Sequence, residues 1–144
     1  MTNAEEQQKI FWKMYDEFLI ENGEPFTISP KRHWCVVNAK NVNKPCLSMD
    51  FLVQDKILRV GIYIQNDANG LYDRLIDKRE YLDSIFADRK PEWCEKCKKG
   101  KTTKRIKIEI PFFYESEDEY ERIIELSAKF VLKFIKAYRP YIKV

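Results

Sequence analysis

A chain of 144 residues has the length of one domain, and 44% hydrophobic and 14% aromatic content lets it bury a core without cross-links. Four Gly and six Pro exclude a flexible linker or low-complexity tract, and no apolar run approaches the roughly 18 residues that span a bilayer. A net charge of +3 is too small to name a partner by itself.

The opening MTNAEEQQKIFWKMY lacks the basic start and apolar centre of a signal peptide. A cytoplasmic location is therefore expected, with no membrane partner. In that compartment Cys35, Cys46, Cys94 and Cys97 are expected as thiols.

Ala4–Asn22 is predicted as the first helix. Ile10, Phe11, Met14, Tyr15 and Phe18 recur at helical spacing, and Gly23 with Pro25 stops the element. Three strands follow, at His33–Lys40, Cys46–Val53 and Ile57–Gln65, the first of them after Ser29-Pro30. In the third, Leu58, Val60, Ile62 and Ile64 share one face, while Arg59, Gly61 and Tyr63 share the other. The connections are short enough for an antiparallel meander.

Asn69–Ala87 is predicted as the second helix, with Leu71, Leu75, Leu82, Ile85 and Phe86 inward and Asn66, Asp67 or Asn69 capping its start. Pro91–Glu95, a turn at Lys98–Lys101 and Thr103–Phe112 make a hairpin. In its second arm Ile106, Ile108, Ile110 and Phe112 alternate with Arg105, Lys107, Glu109 and Pro111. Ser116–Tyr138 is the last helix, with Ser116 and Glu119 spaced as a capping box and Ile123, Ser127, Phe130, Val131, Phe134 and Tyr138 buried. Pro140 ends it.

The expected fold class is α+β, in the order α-β-β-β-α-β-β-α. A three-strand meander plus a hairpin form one antiparallel sheet, with helices packed mainly on one face. Residues 1–144 read as a single domain.

Several runs resemble a bacterial family, domain of unknown function 4268. They are Phe11-Trp12, Pro30 and Trp34, the strand Arg59-Val60-Gly61-Ile62-Tyr63-Ile64, the helix Leu75-Ile76-Asp77-Lys78-Arg79-Glu80, then Trp93, Arg105-Ile106, Phe134 and Arg139-Pro140. These are structural signatures rather than a catalytic motif. In related proteins such a domain often follows a nuclease-like domain. The resemblance therefore implies an accessory role in nucleic-acid processing, with a nuclease or defence protein as partner. No such domain is expected ahead of the first helix.

Charge is unevenly placed. Arg89–Lys107 holds nine Lys or Arg against two Glu, a local net of +7. Lys96, Lys98, Lys99, Lys101, Lys104, Arg105 and Lys107 are candidates for neutralising phosphates along a nucleic-acid backbone. Arg59 and Tyr63, on the open face of the neighbouring strand, are candidates to add stacking, as in sheet-based binders of single strands. The plainer reading is a solubilising turn whose lysines guard an edge strand. The acidic run Glu115, Glu117, Asp118, Glu119 and Glu121 follows, and either caps the last helix or attracts the hairpin of a second copy, as in a homodimer.

The same segment carries Cys94-x-x-Cys97, one half of a zinc knuckle. A zinc ion would need two more ligands, for which Cys35, Cys46 and His33 are the candidates; incidental thiols are the plainer reading. A metal-dependent nuclease would need an acid on the second strand, which Asp50 supplies, and an acid-x-Lys on the third, which is absent. With one His and four scattered Gly, neither a nucleophilic triad nor a phosphate loop can be assembled. The residues argue for a binding module ahead of a cryptic metal-dependent enzyme.

Overall fold

A computed structural model describes residues 3–23, 26–31, 34–37, 46–52, 56–64, 70–87, 89–94, 103–113, 115–138 and 140–141. The elements are α1 (Asn3–Glu21), β1 (Phe26–Lys31), β2 (Trp34–Val37), β3 (Cys46–Leu52) and β4 (Ile57–Ile64). There follow α2 (Leu71–Ile76), α3 (Arg79–Ile85), β5 (Glu92–Cys94), β6 (Lys104–Pro111), a 3-10 turn (Glu117–Glu119) and α4 (Tyr120–Tyr138). The strands form one sheet in the order β1-β2-β3-β4-β6-β5, and every pairing is antiparallel. The fold is α+β.

The two-residue period decides which face is dry. Leu58, Val60, Ile62 and Ile64 of β4 are buried, as are Ile106, Ile108 and Ile110 of β6. Against them pack Phe11, Tyr15 and Leu19 of α1, Leu75 of α2, Leu82 of α3 and the buried stripe of α4, all in one cluster. Phe11 anchors an aromatic group, with ring centroids 4.6 Å from Phe112 and 5.3 Å from Tyr120. Tyr120 donates to the Gln7 side-chain oxygen at 2.8 Å, and Tyr15 and Ser127 share a buried hydrogen bond of 2.7 Å. Residues 7 and 15 thus meet 120 and 127 in the same order, so α1 and α4 run parallel.

Gly61 departs from the alternation in β4. It is buried on the other face, with φ +154°. A Cβ there would collide with the Ile106 carbonyl and lie 2.8 Å from the Lys107 Cα. Only glycine lets β4 and β6 approach this closely.

Four expectations are corrected. First, Phe26–Lys31 is a strand, although Ser29-Pro30 was read as preceding the first one. It is the sheet's edge, and its register with β2 shifts twice, a setting that tolerates a proline such as Pro30. Second, the helix expected over 69–87 is two helices. A continuous helix would turn Lys78 and Arg79 inward after Leu75, so the chain instead turns at Asp77–Lys78 and keeps residues 76–81 exposed. The Lys78 amide closes a tight turn onto the Leu75 carbonyl at 2.9 Å. Gly70 stands before α2 in a left-handed conformation, while the expected caps Asn66, Asp67 and Asn69 lie outside the described residues.

Third, Ser116 makes no side-chain cap. Its carbonyl accepts from the Glu119 amide at 2.9 Å, and the Glu119 carboxylate pairs with Arg122 at 2.6 Å, so the capping box gives way to a 3-10 entry. Fourth, the α1 stripe is centred on Phe11, Trp12, Tyr15 and Leu19, and Ile10 is 37% exposed. The larger rings take the core and rotate the helix.

Candidate nucleic-acid interface

The face of β4 and β6 turned away from the helices carries four of the predicted side chains, Arg59, Tyr63, Arg105 and Lys107. The ladder places Tyr63 opposite Arg105, Gly61 opposite Lys107 and Arg59 opposite Glu109. On the far side, β5 sets Cys94 beside Arg105 and Glu92 beside Lys107. Antiparallel pairing thus gathers Arg59, Tyr63, Arg105 and Lys107, which lie more than forty positions apart at the extremes, into one half-exposed patch.

Its members are not equivalent. The Arg105 guanidinium sits over the Tyr63 ring, 4.5 Å from the centroid. This is cation–π contact between cross-strand neighbours. Lys107 is held differently. Its ammonium lies 3.4 Å from the Glu109 carboxylate and 3.9 Å from that of Glu92, and its side chain is only 15% exposed. Its neighbour on β4 is Gly61, which offers no side chain. Lys107 therefore meets two acids at the centre of the patch.

Lys104 belongs to the opposite face. Strand alternation puts it with Ile106 and Ile108, and its ammonium lies 5.2 Å from the ring centroid of Tyr72, a buried residue of α2. Lys96, Lys98, Lys99, Lys101 and Cys97 lie outside the described residues, as does His33. Cys94 is half-buried at the end of β5. Along the ladder, Cys46, Tyr63, Arg105 and Cys94 occupy successive strands. Three strand spacings, about 14 Å, then separate the backbones of Cys46 and Cys94, too far to share a zinc ion bound at about 2.3 Å. Among the described residues no three His, Cys, Asp or Glu gather as metal ligands. Asp50 stands opposite Arg59 in the β3–β4 register.

A brace beneath the patch went unread in the sequence. Trp93 follows Ile106 in register and so faces the helices. Its indole N–H donates to the Asp83 carboxylate at 2.9 Å, and Arg79 reaches the other oxygen of that carboxylate at 3.4 Å. The Arg79 guanidinium also lies 5.5 Å from the Trp93 ring centroid, and Tyr72 packs edge-on to the indole at 5.9 Å. Further along, the Arg89 guanidinium donates to the Glu109 backbone carbonyl. The first arm of the basic hairpin is thereby fastened to α3 and to β6. The one sequence signal was the i,i+4 spacing of Arg79 and Asp83.

Near the same helices, the Tyr138 hydroxyl is buried with no hydrogen-bond partner among the described residues. Burial raises its pKa above the ordinary tyrosine value, and the Asp83 carboxylate adds to the rise.

Among the described residues no helix is long and apolar enough to cross a membrane. No curated protein and no solved structure matches the chain. The family Domain of unknown function (DUF4268) matches over residues 7–142. The chain belongs to that family.

Proposed function

We propose that this DUF4268 domain is a non-catalytic module that contacts nucleic acid through the β5–β6 hairpin and the adjoining face of β4 and β6. The observation that carries the proposal is the Arg105–Tyr63 pair, a cation and an aromatic ring stacked on the sheet face away from the helices. Arg105 itself belongs to the segment with a local net charge of +7. Clustered positive charge attracts a phosphate backbone by releasing its counterions, and a flat aromatic–cationic surface suits bases. The module would act in the cytoplasm beside a nuclease-like or defence partner that supplies the chemistry.

The test is fluorescence anisotropy with a labelled oligonucleotide across a salt series. Binding through three phosphates of a single strand weakens roughly 20-fold between about 50 and about 200 mM salt. A flat salt response, or no binding at low salt, overturns the proposal.

A second reading, self-association, is favoured by the placement of opposite charge along β6. The strand runs from Lys104 at the basic hairpin to Pro111 near the acidic run, about 25 Å apart for eight residues. Glu115, Glu117, Asp118 and Glu121 in that run are exposed. Lys104 and these acids thus stand toward opposite ends of β6, an arrangement in which a basic end can meet an acidic end between copies. Sedimentation at low and high salt tests it: a mass that rises with concentration only at low salt supports association, and a constant monomer mass contradicts it.

A further inference from the structure

We infer that the open cleft between the α2–α3 turn and Tyr141 is a binding site for an arginine side chain, presented on a peptide segment of a protein partner. It shares no residue with the nucleic-acid reading and stands without it.

The break between α2 and α3 opens the cleft. Because the chain turns at Asp77–Lys78, residues 76–81 are all exposed, among them Ile76 and the 65% exposed Tyr81. After α4, the Tyr141 amide closes a turn onto the Tyr138 carbonyl at 2.9 Å, which brings Tyr141 to the same place. Asp77, Lys78, Glu80, Tyr81, Ser84 and Tyr141 line a cleft of about 660 Å³. That is the size of a small-ligand site, with room for one long side chain and its flanking backbone.

The lining decides what fits. Asp77 and Glu80 are exposed carboxylates that form no ion pair among the described residues. Ser84 donates its proton to the Tyr81 carbonyl, so its oxygen is left to accept. The phenol rings of Tyr81 and Tyr141 attract cations through their faces. Acceptors and rings together suit a cation with several donors and no acceptor. A guanidinium has five donors on a flat frame and stacks on rings, whereas an ammonium is a point charge. Lys78 is the one cation in the lining; it is exposed, and its long stem lets the ammonium swing out to water. Arg79 is engaged by Asp83 and lies over the Trp93 ring. Beside the cleft, Ile76 and Tyr81 offer apolar surface for the flanking residues of a peptide to cover, as a free guanidino compound would not.

The experiment titrates the isotope-labelled chain with acetyl-Gly-Arg-Gly-amide and follows its backbone amides by NMR. Saturable shifts are expected at residues 77–84 and at Tyr141. The same peptide with Lys in place of Arg, and methylguanidinium alone, should bind more weakly, and the peptide with Glu should not bind there. Glu80→Gln and Tyr81→Ala, both at exposed positions, should each weaken the arginine peptide about two- to fivefold, the scale of one exposed ion pair or cation–π contact. Lys78→Gln should strengthen it, and Glu117→Gln, in the acidic run, should leave it unchanged. Absence of shifts at 77–84, or shifts centred on the acidic run, overturns the inference. So does equal binding of the lysine peptide or of methylguanidinium, or an affinity that neither Glu80→Gln nor Tyr81→Ala moves.

Discussion

The Trp93 indole N–H and the Asp83 carboxylate are joined at 2.9 Å across the junction of β5 and α3. That bond ties the outermost strand of the basic hairpin to the helical layer. Because β5 is only three residues long, its ladder with β6 cannot hold it alone. Asp83→Ala leaves a half-buried indole donor unpaired and removes the partner of Arg79. The expected cost is about 1–3 kcal/mol in urea unfolding, with amide exchange in β5 quickening more than in β4. Unchanged protection in β5 would show that other contacts hold the hairpin.

Gly61→Ala tests the close approach of β4 and β6. The new Cβ meets backbone rather than a movable side chain, at a φ that alanine rarely adopts. The strands must part or the backbone must shift, at a cost of about 2 kcal/mol or more. The urea midpoint should fall accordingly, and a midpoint equal to that of the wild type contradicts the packing described.

Tyr138→Phe removes a buried hydroxyl that has no partner among the described residues. Replacing an unsatisfied polar atom with hydrogen is expected to be neutral or to stabilise by up to about 1 kcal/mol. The same residue predicts a pH dependence. A phenol whose folded pKa is raised above its ordinary 10.0 binds its proton more tightly folded than unfolded. Its contribution is present in full below pH 10 and falls as pH rises above that value. Wild-type stability should therefore fall faster than that of Tyr138→Phe as pH rises through 10. Parallel curves would show that the hydroxyl titrates as freely in the fold as in the unfolded chain.

Ser127→Ala tests the seam between the parallel helices α1 and α4. Ser127 also donates weakly to the Ile124 carbonyl at 3.4 Å, which leaves its oxygen to accept from Tyr15. Losing it removes a buried hydrogen-bond partner of the Tyr15 hydroxyl at a cost of about 1 kcal/mol or more. In a double-mutant cycle, Tyr15→Phe should recover part of that loss. Additive losses would contradict the pairing.

The sheet was legible wherever apolar residues alternated strictly. Leu58 to Ile64 and Ile106 to Phe112 name both the strands and the buried face, and the long apolar stripe of α4 names its helix. What alternation does not encode was missed. Phe26–Lys31 is an edge strand containing a proline, and edges need no periodic burial. The break at Asp77–Lys78 was hidden because Leu75 and Leu82 are seven residues apart, a spacing one continuous helix would also satisfy. For the candidate interface, strand parity places Arg59, Tyr63, Arg105 and Lys107 on one face of the sheet. It also assigns Lys104 to the other face, although all the basic residues of the hairpin were read together. The pairing of Lys107 with Glu92 depends on hairpin register, which an alternating pattern alone does not supply.

The central claim is that the Arg105–Tyr63 face contacts nucleic acid, and anisotropy of a labelled single strand across a salt series tests it most directly. The account predicts tight binding at low salt, a steep loss as salt rises, and weakening by at least about fivefold in Arg105→Lys. Absence of binding at low salt in the folded wild-type protein would contradict it.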